Sequence, residues 1–157
     1  TRNLKIKNGK IIAVSISKNK ATKKSNVESA LLKKDFGVEA DAHGGAGKRQ
    51  VSLLAVESIE KMQAKGLKAG PGDFAENITT QGINLLKLKI GDKVKIGKDA
   101  LLEISQIGKV CHIRCNIYYQ VGDCVMPREG IFAKVLKGGL IKPQDKVEVT
   151  KDAKRTE

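Results

Sequence analysis

The chain contains no tryptophan, and its 157 residues include only two tyrosines and three phenylalanines. Its core must therefore be aliphatic, and the stacking platforms that hold single-stranded nucleic acid are scarce. Long apolar runs are also missing: none approaches the ~20 residues that a membrane-spanning helix needs. The first segment, TRNLKIKNGKIIAVSISKNK, is basic but has neither a continuous apolar stretch nor a small-residue cleavage site. It reads as a strand and not as a signal peptide, and the cytoplasm is the expected compartment. Cysteine is rare and odd in number, three in all, which argues against a disulfide framework. Acidic residues are outnumbered, 17 against 30 lysines and arginines, leaving a formal charge of +13. That balance raises nucleic acid as a partner. The lysines are spread over the whole length, however, and no nucleic-acid module is apparent. A solvated lysine-rich surface accounts for the charge more simply, with an anionic small molecule as the remaining ligand class.

What is present suits one globular domain, residues 1–157 with a core over about 8–150. KIIAVSIS (10–17) alternates with period two and predicts a strand. KNKATKKSN follows as a basic loop, and VESALLKKDFGVEADAHGGAGKRQ reads as irregular and glycine-rich. Val51 to Leu53 suit a strand, after which Val56, Ile59 and Met62 recur at helical spacing with Gly66 as the stop. AGPGDFAENITTQGIN is a turn-rich connection holding the strand-like NITT. IGDKVKIG (90–97) and PQDKVEVT (143–150) are two copies of one pattern, a tight turn leading into a half-buried strand. ALLEISQIG between them predicts another strand, and REGIFAKVLKGG fits a short helix capped by Gly138 or Gly139. Short, closely spaced strands that do not alternate with helices predict a mainly β protein, a closed or partly closed barrel.

Three stretches carry candidate chemistry. HGGAGKRQ fails as a phosphate loop, because Ala42 stands at the first glycine and Arg49 where a Ser or Thr would hold magnesium. Gly44, Gly45 and Gly47 still allow close backbone approach to an anion beside Lys48 and Arg49; the alternative is a plain turn with an exposed basic pair. PGDFAENITT offers Asp73, Glu76 and Asn77, either as acid–base groups or as a turn aspartate with a solvated glutamate. KVCHIRCNIYYQVGDCVMPREG (109–130) holds all three cysteines and His112. Cys111, His112, Cys115 and Cys124 are chemically suitable zinc ligands, but their spacing is not that of paired knuckles. Buried inert thiols and a thiolate activated by Lys109, His112 and Arg114 are the other readings, and the residues alone leave them open.

Taken in order, these segments resemble the MOSC family, named for the C-terminal domain of molybdenum cofactor sulfurase. GVEADAHGGAGKRQVSLLAVESIE is similar to its Gly–Asp–x–His–Gly stretch followed by Arg-Gln-Val and a helix with a glutamate. GPGDFAENITTQGINL is similar to its Gly-Asp-x-x-x-Glu-Asn segment, LLEISQIGKVCHIRC to the strand leading to its cysteine, and PREGIFAKVLKGGLIKPQDKVEV to its closing segment. The resemblance implies a β-barrel of the pyruvate-kinase type with a few peripheral helices. It implies one working cysteine, matched by Cys115, as sulfur carrier or molybdenum ligand in cofactor sulfuration. Arg114 directly precedes that cysteine here, where relatives show Arg-x-x-Cys or Pro-Cys. The implied cofactor is molybdenum cofactor (molybdopterin), whose pterin bears a phosphate. The implied contacts are His43, Gly44, Lys48, Arg49, Gln50, Asp73, Glu76, Asn77 and Arg128, with Asp41 and Gly130 in the same motifs. Lys48, Arg49 and Arg128 would meet anionic groups. Sulfurases proper add a pyridoxal-phosphate domain that these residues do not include. The expected partners are therefore a sulfur donor such as a cysteine desulfurase, an electron-transfer protein, and cofactor biosynthesis proteins. A molybdenum-dependent reductase of N-hydroxylated compounds and a non-catalytic basic nucleic-acid module are the alternatives.

Overall fold

The computed structural model describes residues 6–17, 24–41, 44–45, 47, 49–108 and 130–150. Cys111, Cys115, Cys124, His43, Lys48, His112, Arg114 and Arg128 lie outside the described residues. Eleven strands and one α-helix are described. In chain order they are β1 (Ile6–Ile16), β2 (Ser25–Val27), β3 (Ala30–Lys33), β4 (Gly37–Val38), β5 (Val51–Ala55), α1 (Val56–Ala64), β6 (Ile78–Gln81), β7 (Lys93–Ile96), β8 (Ala100–Ile107), β9 (Ile131–Lys137), β10 (Gly139–Ile141) and β11 (Lys146–Thr150). The main sheet runs β11-β7-β8-β9-β5-β6-β1, with β2 beside the end of β1, and a β1–β11 pairing closes the seven strands into a barrel. No helix among the described residues is long and apolar enough to cross a membrane.

The inward residues are those the alternation marked. Ala100, Leu102 and Ile104 of β8, Val94 and Ile96 of β7, and Val147 and Val149 of β11 are buried in one aliphatic core. Their neighbours Lys95, Lys146 and Glu148 face outward, so period two is visible wherever one face is wet. β5 is buried at all five positions. Its outer side is covered by α1: Leu54 packs with Ile59, Met62, Leu67, Phe74 and Phe132 in a second cluster.

REGIFAKVLKGG is not a helix. Ile131–Lys137 forms β9, with Ile131, Ala133 and Val135 inside the barrel and Phe132 in the outer cluster under α1. Phe132 is covered on the outer face as the inner residues are on theirs, so the first half of the run lacks alternation and its apolar spacing imitates a helix. Gly138 does not cap a helix either. A Cβ there would lie 2.5 Å from the Leu32 carbonyl oxygen, so it is a glycine of close approach. The segment read as irregular contains β3 and β4, which join β10 in a separate three-stranded sheet.

One turn is used three times. In Lys89–Asp92, Lys142–Asp145 and Gly70–Asp73 the third residue has positive φ: Gly91 at 99°, Gln144 at 76° and Gly72 at 93°. In each, the aspartate N–H donates to the first residue's carbonyl at 3.0, 3.2 and 3.1 Å. The aspartate Oδ2 in turn accepts the first residue's N–H, at 2.9, 3.0 and 2.9 Å. This is type II turn geometry locked by a side chain. Two of the copies launch β7 and β11, which then pair with each other, Val94 opposite Val149 and Ile96 opposite Val147.

Candidate functional site

At the barrel end where β1 finishes and β5 and β6 begin, several motif residues meet in a buried polar network. Asp41 Oδ1 accepts from Lys24 Nζ at 2.7 Å, and both side chains are fully buried. The same oxygen accepts the Ser17 N–H at 2.9 Å. Burial pushes the Asp41 carboxyl up, but the Lys24 hydrogen bond, the Ser17 N–H, the Lys24 charge and the Asn77 amide outweigh it and hold the pKa below 3.8. Asn77 joins three strands: its Oδ1 accepts the Ser52 N–H at 3.0 Å and the Ser52 hydroxyl at 3.2 Å, and its Nδ2 donates to the Ser15 carbonyl at 3.1 Å. Glu76 is wholly buried beside it. Its Oε2 accepts the Gly72 N–H at 2.9 Å and the Thr79 hydroxyl at 2.8 Å. Its Oε1 has no partner among the described residues. Burial raises its pKa above 4.5, against the pull of these bonds.

Gln50 and Gly44 fix the glycine-rich loop. Gln50 Oε1 accepts the Val135 N–H at 2.9 Å, and its Nε2 donates to the Gly47 carbonyl at 3.2 Å. Gly44 lies on the Phe36 ring, where a Cβ would come within 2.4 Å. The Gly44 and Gly45 N–H groups donate to the carbonyls of Asp41 and Phe36, at 3.2 and 2.7 Å, and so are spent within the fold. Arg49 is exposed, with its guanidinium 5.9 Å from the centroid of the Phe132 ring. Asp73 closes its local turn and takes no part in the network above. The structure thus gathers Asp41, Glu76 and Asn77 and leaves Asp73 and Arg49 apart from them.

The cysteine-bearing segment 109–129 is rooted at the other barrel end. It leaves from Gly108 after β8 and rejoins at Gly130 before β9, where the Gly108 N–H donates to the Gly130 carbonyl at 2.7 Å. Leu53 lies opposite Ile131, so β5 ends at Ala55 on this same side. A cavity of about 440 Å³ opens there, between α1 and the chain after β6, lined by Ala55, Glu57, Ser58, Lys61, Ile83 and Asn84 among others. Ala55, Ile83 and Leu85 give it a buried apolar floor. Glu57 and Lys61, one helical turn apart, supply charge of both signs. Sequence reasoning missed Lys61, which looks like an ordinary surface position of a short helix, and included a glutamate of that helix only within the motif resemblance, with no role. It also missed Lys24, one of several lysines in a basic loop. The signal for Lys61 was its i, i+4 spacing from Glu57. Among the described residues no group of three or more His, Cys, Asp or Glu could hold a bare metal ion.

The family model described as "MOSC domain" matches residues 39–148. The fold is similar to that of the YuaD protein from Bacillus subtilis, with a TM-score of 0.81, 18% identity, and 96% of this chain and 100% of that one covered. It is also similar to YiiM from Geobacillus stearothermophilus, with a TM-score of 0.67, 20% identity, and 90% and 74% covered. YiiM from Escherichia coli gives a TM-score of 0.62 at 18% identity, with 89% and 69% covered. At these identities the likeness speaks to the fold alone. No curated protein matches the sequence.

Proposed function

The chain belongs to the MOSC domain family, which is associated with molybdenum cofactor binding, and from that premise we propose that it binds this cofactor, or a precursor of it, with Cys115 as sulfur carrier or metal ligand. One observation supports the reading: the cavity beside α1 and the root of the cysteine segment share one barrel end. The residues fit the group. An apolar floor suits a flat fused ring, and Lys61 and Asn84 offer donors to ring carbonyls or a phosphate. Bound there, the cofactor would supply a thiophilic metal on a phosphorylated pterin.

In the sulfur-carrier role the Cys115 thiolate attacks the terminal sulfur of a persulfide on a donor such as a cysteine desulfurase. The donor's S–S bond breaks, the donor leaves as a thiolate, and Cys115 holds the sulfur as a persulfide. Lys48 and Arg128 serve anionic groups by charge, whereas Arg49, just before β5, stands at the barrel end away from the cavity. Asp41, Gln50, Glu76 and Asn77 act by holding the barrel end and the glycine loop in shape, since their described bonds run within the protein.

The test is to purify the protein and Cys115→Ser from cells that make the cofactor, then measure molybdenum, pterin and cysteine persulfide. Wild type should carry pterin or persulfide, and the variant should lose the persulfide or the molybdenum. A wild type with none of the three overturns the proposal.

A further inference from the structure

We propose that Glu57 selects the ligand of the α1 cavity, accepting hydrogen bonds from the donor edge of a 2-amino-4-oxo-pyrimidine ring, the edge that a pterin presents. The proposal rests on the reading above and gives a role to a helix glutamate that the motif resemblance included without one. Glu57 sits in the first turn of α1 and is exposed at the cavity wall. Its Oε2 accepts the Gly82 N–H at 3.1 Å, so backbone from the opposite wall anchors one carboxylate oxygen at the cavity. A carboxylate offers about four lone-pair sites, so one such bond leaves acceptor capacity on the head group. The 2-amino group and the adjacent ring N–H are parallel donors, and a carboxylate accepts such a pair through both oxygens. Lys61, on the same wall, is a donor and cannot read that edge. Below them the floor of Ala55, Ile83 and Leu85 is apolar and suits a ring face.

Guanine carries the same edge, so the shared chemistry is the aminopyrimidinone and the experiment must separate the sources. The full chain is titrated, by ligand fluorescence, with 6-hydroxymethylpterin and with 6-hydroxymethyllumazine, which has oxygen in place of the 2-amino group. GMP is added as a competitor. Wild type should prefer the pterin by about tenfold or more, since one charge-assisted bond is lost with lumazine. GMP should compete poorly. Glu57→Gln keeps an acceptor for the Gly82 N–H but turns an NH2 toward the donor edge, so its pterin preference should fall to about parity. The exposed position predicts an unchanged melting temperature, which separates recognition from folding.

Equal binding of pterin and lumazine by wild type, or an undiminished preference in Glu57→Gln, overturns the inference. Tighter binding of GMP than of pterin overturns the pterin assignment. If pterin or persulfide copurifies with the protein while the titration shows no preference, this inference alone fails. If neither copurifies and neither probe binds, the proposed function fails with it.

Discussion

Asp41 and Glu76 are buried carboxylates whose couplings to pH have opposite signs. Asp41 titrates below 3.8 when folded, so its stabilisation is complete above that value and is lost as pH falls through the folded pKa. Glu76 titrates above 4.5 when folded. Between 4.5 and that raised value the folded chain binds the extra proton, so stability falls as pH rises through the window and then levels. Urea denaturation across pH should therefore show Glu76→Gln flattening the descent above 4.5. An unchanged slope would mean that other groups cause it. Lys24→Met leaves Asp41 buried without its cation and should cost about 3–5 kcal/mol. The double variant Lys24→Met/Asp41→Leu should cost less than the sum of its parts, and urea midpoints of the set decide it. These residues also show how much of a site a sequence discloses. The Glu-Asn pair was visible, and its spacing drew attention, but its burial was not. Whether Asn77 meets a ligand or Ser15 and Ser52 depends on strands far apart in the chain.

Among the elements, those with one wet face were legible and those with two covered faces were not. β7, β8 and β11 alternate because water lies on one side. β9 lost its alternation because α1 covers its outer surface through Phe132. β3, β4 and β10 are two to four residues each and find partners only in three dimensions, so no local pattern marks them. α1 itself was readable from Val56, Ile59 and Met62. Because its packing against the barrel rests on Ile59 and Met62, Ile59→Ala should remove about 2–5 kcal/mol of packing. Hydrogen exchange in 56–64 should accelerate while exchange in β7 and β8 stays slow. Equal acceleration everywhere would show that helix and barrel unfold as one. In the repeated turn, a Cβ on Gly91 meets nothing within 4 Å, so the cost of Gly91→Ala is backbone strain alone. A loss of about 1 kcal/mol is expected by urea denaturation.

At the scale of the whole molecule, closure removes the open edges that a sheet would otherwise present. The β1–β11 seam makes this closure, and its partners come from opposite ends of the described chain. Lys10 lies opposite Lys146 there, a like-charge pair that contributes repulsion and not cohesion. The seam therefore depends on the inward valines, Val147 and Val149. Such long-range contacts form after local ones, because the chain must first be brought round. Val149→Ala should speed unfolding in stopped-flow experiments and leave the folding rate nearly unchanged; a slowed folding rate would place the seam early. The likeness of β7 and β11 then becomes a problem of sorting. Both strands carry the same turn, the same Asp-Lys-Val opening and the same inward-facing valine, so an incomplete sheet could accept either copy at its edge. Side chains tell the two apart poorly. Timing is expected to tell them apart: β7 is tied to β8 by the short turn between Ile96 and Ala100, and such a local pairing should form before the long-range one to β11.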